Sequence, residues 1–319
     1  MKARTGYAAL LACGSILFAV STFYGQNPNS ADQRDLAPTG KGIGTQFSPG
    51  QPGNHFGASR FSKTPASRTA GNGIYYHGGP LILGTTDVYF IWYGNWPNTH
   101  APTEATTILT TLAQNIGGSS YFNINTTYYD GNGSHVTNAV QYVKSTTDNY
   151  SLGTSLSDSD IQTIVTNAIP HLGGPDPYGV YFVLTSADVK ETSGFCSNYC
   201  GWHTYGTISG SDIMYAFVGN GDRCPSACEE QTTSPNGNAG ADGMASVIAH
   251  ELEESVTDPK LNAWYDKRGY ENADKCAWTF GTTYTASNGS LANMNLGGLD
   301  FLIQRNWVNA NGGYCALSY

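Results

Sequence analysis

DGMASVIAHELEESVTDP, residues 242–259, has both of its ends marked. Asp242 suits a helix N-cap, and Pro259 disfavours helical geometry at Asp258. Between them, at about 100° per residue, Met244, Val247, Ile248, Leu252 and Val256 form one apolar stripe. His250 and Glu254, four residues apart, stack beside that stripe, and Glu251 lies one step round the helix. Three glutamates, Glu251, Glu253 and Glu254, crowd the C-terminal half, where the helix dipole disfavours negative charge. A bound cation relieves them; a solvated acidic face is the plainer alternative.

Upstream, residues 87–93 (DVYFIWY) are β-branched and aromatic almost throughout, the pattern of a strand buried on both faces. Residues 102–116 carry Ile108, Leu109, Leu112 and Ile116 at helical spacing and end at Gly117-Gly118. A second passage repeats the type. Ser157 or Asp158 caps a helix bearing Ile161, Ile164, Val165 and Ala168, Pro170 is expected to stop it, and residues 178–185 (YGVYFVLT) form the next strand. Residues 213–218 (IMYAFV) form a third. Strands interleaved with helices before a cysteine-rich end indicate an α+β or α/β domain.

The sequence H-E-x-x-E at residues 250–254 has the geometry used by zinc hydrolases, with Glu254 where a second histidine is usual. Ligands four residues apart face one way, and Glu251 is placed to deprotonate a metal-bound water. The expected fold is therefore a single zincin-like domain with a central buried sheet, this helix and a disulfide-rich C-terminal part. His250 and Glu254 are expected to bind the metal, with Glu271 or Asp274 as third ligand. Zn2+ is the expected ion, and Ca2+ or another divalent metal is the alternative that a carboxylate-rich set allows. Tyr265, beside Trp264, is a further candidate oxyanion donor. No G-x-S-x-G elbow, phosphate loop or dinucleotide fingerprint occurs.

The N-terminus, with Lys2 and Arg4 before a short apolar run, reads as a signal peptide over residues 1–25. Residues 26–70, rich in Gly, Pro, Ser, Gln and Asn, read as a flexible linker or propeptide, and residues 71–319 as the globular domain. Export makes Cys196, Cys200, Cys224, Cys228, Cys276 and Cys315 a disulfide set. Pairing of near neighbours, Cys196 with Cys200 and Cys224 with Cys228, is favoured, with Cys276 to Cys315 closing the C-terminus; a zinc site from the two C-x3-C pairs is the rival. The formal net charge of −9, more negative once Lys2 and Arg4 are removed, disfavours nucleic acid. Sequons at Asn125, Asn132, Asn149 and Asn288 offer glycan sites.

Five segments together carry a resemblance: YYHGGPLILGTTDVYFIWYGNW from Tyr75, FCSNYCGWHTY from Phe195, YAFVGNGDRCPSAC from Tyr215, the helix from Asp242, and NAWYDKRGYENADKCAW from Asn262. Over roughly residues 71–315 the chain resembles the exordium or phosphate-induced protein 1 family, and within it the microbial branch, where H-E-x-x-E precedes T-D-P and an E-x-x-D-x-C segment. The resemblance implies a secreted, extracellular or cell-wall protein without an agreed activity. It also implies that His203 and His77, which match family motifs, line the cleft or serve as structural histidines.

The leading expectation is a secreted, monomeric zincin-like metallohydrolase acting on an extracellular peptide or cell-wall substrate, with Glu251, His203 and Tyr265 as catalytic groups. The alternative is a non-catalytic wall or carbohydrate-binding protein, with stacking surfaces at residues 89–96 and 202–205 and a structural metal or none.

Overall fold

The run DVYFIWY becomes β1 (Thr86–Tyr93), buried at every position but Asp87. A strand shielded on both faces belongs inside a largely parallel sheet. In the computed structural model β1 lies between β2 (Val140–Asp148) and β3 (Gly179–Thr185), parallel to both. Beyond β3 runs β5 (Ser211–Gly219), also parallel, and β4 (Gly201–Ile208) closes that side as an antiparallel edge. The order is β2–β1–β3–β5–β4. Parallel neighbours need crossovers, and two are helical: α1 (Ala105–Asn115) links β1 to β2, and α2 (Asp158–Leu172) links β2 to β3. Phe90, Phe182 and Phe217 are fully buried, and Phe90 and Phe182 meet edge-on at 5.9 Å between centroids.

The structure describes Pro38, Thr39, Lys41, residues 72–97 and residues 100–319. The expected signal peptide and nearly all of the 26–70 segment lie outside the described residues. Among those described, no helix is long and apolar enough to cross a membrane.

The helix carrying His250 is α3 (Ala239–Thr257). It begins four residues before the expected start because Asn238, not Asp242, is the N-cap, its side chain accepting from Ala241 N at 3.1 Å. Asp242 sits in the first turn and accepts from Asn236 N at 3.0 Å and Asn236 Nδ2 at 2.6 Å, tying the preceding loop to the helix. Gly243 permits a close approach: a Cβ there would lie 2.4 Å from the Cys228 carbonyl oxygen. The expected end holds. Asp258 Oδ1 accepts from Asn262 N and Ala263 N, both at 2.6 Å, and turns the chain immediately after the helix. Every residue from Gly240 to Thr257 is buried, so the acidic end is no solvated face.

Pro170 does not stop α2, which runs on to Leu172 before Gly173 caps it at φ 112°. A proline in the final turn forfeits one hydrogen bond, and the buried side chains of Ile169 and Leu172 hold that turn in place. The cysteine pairing also differs from expectation. Cys196 joins Cys224 and Cys200 joins Cys228, while Cys276–Cys315 is as expected. Cys224 and Cys228 are one turn apart about the short helix Pro225–Cys228, so their thiols face outward together and meet the 196–200 turn as two parallel rungs. With all six cysteines oxidised, the rival zinc site has no ligands.

Candidate functional site

α3 packs against α1, β4 and β5, and presents His250 and Glu251 to a narrow cleft of about 30 Å³. His250 Nε2 lies 3.1 Å from Glu254 Oε1 and 3.6 Å from Asp274 Oδ1. Asp274 arrives on the returning segment, where its backbone N–H donates to Glu254 Oε1 at 3.0 Å and Cys276 is bridged to Cys315. Of the two acids expected to compete for one place, Asp274 stands with His250 and Glu254, their ligand atoms all within 4.8 Å.

Glu271 points the other way. Both of its carboxyl oxygens lie 3.1 Å from His203 Nε2, which is also 3.5 Å from Glu254 Oε2. His203 is buried on β4, behind the acid cluster rather than on the cleft wall. Burial pushes its imidazole down to about 4 despite the pull of Glu254, and raises the Glu271 carboxyl well above the usual range, so the pair is held neutral. Tyr265 stacks flat on His77, centroids 3.5 Å apart, and neither ring lines the cleft.

Burial also drives the Glu251 carboxyl upward; Glu254 and Asp274 add to the rise, and His250 opposes it. For His250 burial works against charge, yet Glu254 and Asp274 outweigh it and raise the imidazole well above its ordinary value. Oδ2 of Asp258 and Oε2 of Glu251, Glu253 and Glu254 are buried without a hydrogen-bond partner. Orphaned carboxylate oxygens in a dry interior are costly unless a cation or proton meets them. One imidazole and two carboxylates on one side of this cluster make a donor set that divalent zinc accepts. For ligand bonds of about 2.0–2.2 Å, tetrahedral ligands stand about 3.3–3.6 Å apart. The His250–Glu254 and His250–Asp274 spacings are close to those edges.

These acids set an expected pH dependence. Asp258 is raised to about 7 by burial, and Glu230, Glu251, Glu253 and Glu271 are raised well above their ordinary values by the same cause. Their unfolded values are near 4, so between about pH 4 and 7 the folded chain holds more protons than the unfolded one. Their stabilising contribution is full below the unfolded values and is lost as pH rises through the folded ones. His203, lowered, works in the opposite sense below its unfolded value near 6.5. In chelator, thermal unfolding from pH 5 to 8 should show stability falling by about 1.4 kcal/mol per pH unit for each extra proton held. A flat or rising melting temperature across that range would contradict it.

Several site residues carried no signal in the sequence. Gly201 begins β4 so close to α3 that a Cβ would lie 3.2 Å from Glu251 Oε1, and Tyr199, Trp278 and Gln304 complete the cleft wall. The expected aromatic stacking surfaces are largely absent. Residues Tyr89 to Tyr93 and Trp202 are core side chains, buried by the sheet and the helices that cover it. The sequon at Asn125 is buried too, its Nδ2 donating to the Phe122 carbonyl at 3.2 Å, so the folded chain cannot present it to a glycosyltransferase.

Residues 74–304 match the family region described as the phosphate-induced protein 1 conserved region. The chain is similar to Protein EXORDIUM-like 3 of Arabidopsis thaliana, 33% identical over 278 residues that cover 76% of this chain and 82% of the relative. Protein EXORDIUM-like 5 of the same plant is 32% identical over 272 residues, 73% and 75% of the two chains. Protein PHOSPHATE-INDUCED 1 of Nicotiana tabacum is 27% identical over 220 residues, 60% and 67%. No solved structure matches the chain.

Proposed function

The chain belongs to the phosphate-induced protein 1 family, and from that premise we propose that it is an exported, zincin-like metal-dependent hydrolase acting on peptides. One observation carries the reading: His250 Nε2 lies 3.1 Å from Glu254 Oε1 and 3.6 Å from Asp274 Oδ1, the three atoms within 4.8 Å of one another, beside Glu251, whose Oε2 is buried without a partner. His250, Glu254 and Asp274 would hold the ion, and zinc suits three donors that include an imidazole better than calcium, which takes six to eight oxygens. When bound, the cation supplies Lewis acidity, polarising a carbonyl and acidifying water.

Glu251 then accepts the proton of the attacking water and returns it to the departing amine. His203 and Glu271 stand behind the ligands, His203 Nε2 3.5 Å from the far oxygen of Glu254 and 3.1 Å from Glu271, in the place that outer partners of a metal site take. Peptide as substrate is supported by β4, which among the described residues pairs only with β5 and leaves an edge beside the cleft for an extended chain. Three disulfides support export to an oxidising compartment, extracellular or wall-bound.

Elemental analysis of the oxidised, purified chain tests the metal directly. About one zinc per chain is expected, with His250→Ala or Asp274→Ala weakening uptake at least about 100-fold, since each removes one of three ligands. A chain that contains no stoichiometric metal and takes up neither zinc nor calcium ends the reading.

A further inference from the structure

Beside the cleft, where Lys41 and Tyr199 line it, stands a group of side chains that metal-dependent hydrolysis does not use. Lys41, far upstream in the sequence, lines the cleft together with His250 and Glu251. Its ammonium lies 2.5 Å from Asp158 Oδ2 and 2.8 Å from Ser193 Oγ. It also stands 5.4 Å from the Tyr199 ring centroid and 5.6 Å from that of Trp202. One carboxylate, one hydroxyl and two aromatic faces thus surround a single part-exposed ammonium, the Lys41 and Asp158 side chains being 29% and 46% exposed.

The pocket is built without Lys41. Tyr199 OH donates to Glu191 Oε2 at 2.8 Å, Ser193 Oγ donates to Glu191 Oε1, and Ser193 N donates to the same oxygen at 2.9 Å. With Lys41 in place, Glu191, Tyr199 and Trp202 are 1%, 5% and 2% exposed, and these side chains form the inner wall beneath the ammonium. The bridges at Cys196 and Cys200 hold the turn that carries Tyr199. From Tyr199 the wall passes through Cys200 to Gly201, which abuts Glu251, so the pocket and the proposed general base share one short stretch of chain.

We propose that this is a lysine-binding subsite of the cleft. It takes a primary ammonium on a flexible alkyl stem, presented by Lys41 of the chain's own upstream segment and, once that residue is displaced or removed, by the lysyl side chain of a peptide substrate. Ligand binding follows from the pocket alone; its role as a substrate subsite rests on the hydrolase reading. Lys41 is then a competitor held in the place of substrate.

The test uses the full mature chain carrying Lys41→Ala, kept in chelator so that metal plays no part, and titrated calorimetrically with Nα-acetyl-lysine amide. Saturable binding is expected, at least about tenfold tighter than to the unaltered chain, where Lys41 competes. Asp158→Asn in the same background should weaken it at least about tenfold by removing the charge partner. Nα-acetyl-norleucine amide, with the stem but no ammonium, should not bind. A folded Lys41→Ala chain that ignores the lysine probe, or binds the norleucine probe equally, overturns the proposal. Because no metal is present, a failed metal analysis leaves this result standing. Should Lys41→Ala not fold, cleavage of a peptide library by the unaltered chain decides: sites confined to lysine support the subsite, and cleavage indifferent to lysine removes it while leaving hydrolysis intact.

Discussion

Glu251→Gln is expected to keep its equivalent of zinc and lose roughly a thousandfold or more in kcat, the middle of the range for a positioned general base. The substitution preserves volume and removes only the ability to accept a proton. Glu251 lines the cleft and is not one of the three groups gathered about His250 Nε2, though with His203 and Glu254 it forms a second such group; on the proposed assignment metal stoichiometry does not move. The same change also removes a buried ionisable group whose Oε2 lacks a partner, so the variant should be at least as stable as the unaltered chain at pH 8. Activity and stability moving in opposite directions is the signature of a residue retained for chemistry. Measured by peptide turnover alongside elemental analysis, a variant that retains both metal and turnover would dismiss Glu251 as the base. Loss of metal together with turnover would make it a ligand instead.

Replacing Cys276 and Cys315 together by serine is expected to cost about 4 kcal/mol, from the chain entropy of a loop closed over a separation of 39 residues. For a domain of this size that lowers the melting temperature by roughly 10 °C. A second effect follows from place rather than energy. Cys276 is two residues from Asp274, and the bridge fixes the segment that delivers this carboxylate to His250 and Glu254. Zinc affinity should therefore fall by more than overall destabilisation predicts, at a temperature where the chain is still folded. If calorimetric titration finds the affinity unchanged, the hydrogen bond from Asp274 N to Glu254 suffices to position it and the bridge serves stability alone.

Local signals in the sequence were read well where one short stretch contains the whole cause. The run of aromatic and β-branched residues at β1 needs no partner to announce a buried strand, and Pro259 ends α3 wherever the helix packs. β2 escaped notice because it is an edge strand, half-exposed and polar through Lys144 to Asp148, with no clean alternation to mark it. α3 was read as amphipathic, yet it is buried all round: the sheet covers one face and the returning C-terminal segment the other. That second cover lies outside any window that contains the helix.

The site divides in the same way. His250, Glu251 and Glu254 are legible because helical periodicity alone brings them together. Glu271 and Asp274 are three residues apart, and only the turn at Asp274–Cys276 decides that one faces His250 and the other His203. Cys276–Cys315 pairs as expected, but the other four cysteines do not, because sequence proximity is a poor guide when two turns face each other. Lys41 reaches its partners across more than a hundred residues, and no spacing rule connects it to Asp158.

The two parallel bridges have a consequence for how the cleft can work. Cys200 precedes β4 and Cys228 follows β5, so the bond between them staples the open end of that hairpin. The edge strand beside the cleft therefore cannot slide along its neighbour or swing outward to admit a larger guest. On the proposed reading, selection is then made by a gauge of constant width, and what fits is decided before it enters. Reducing these two bonds would free that jaw without touching any proposed catalytic group. On the proposed reading, replacing these four cysteines alone would loosen selection while Cys276–Cys315 still held Asp274 in place.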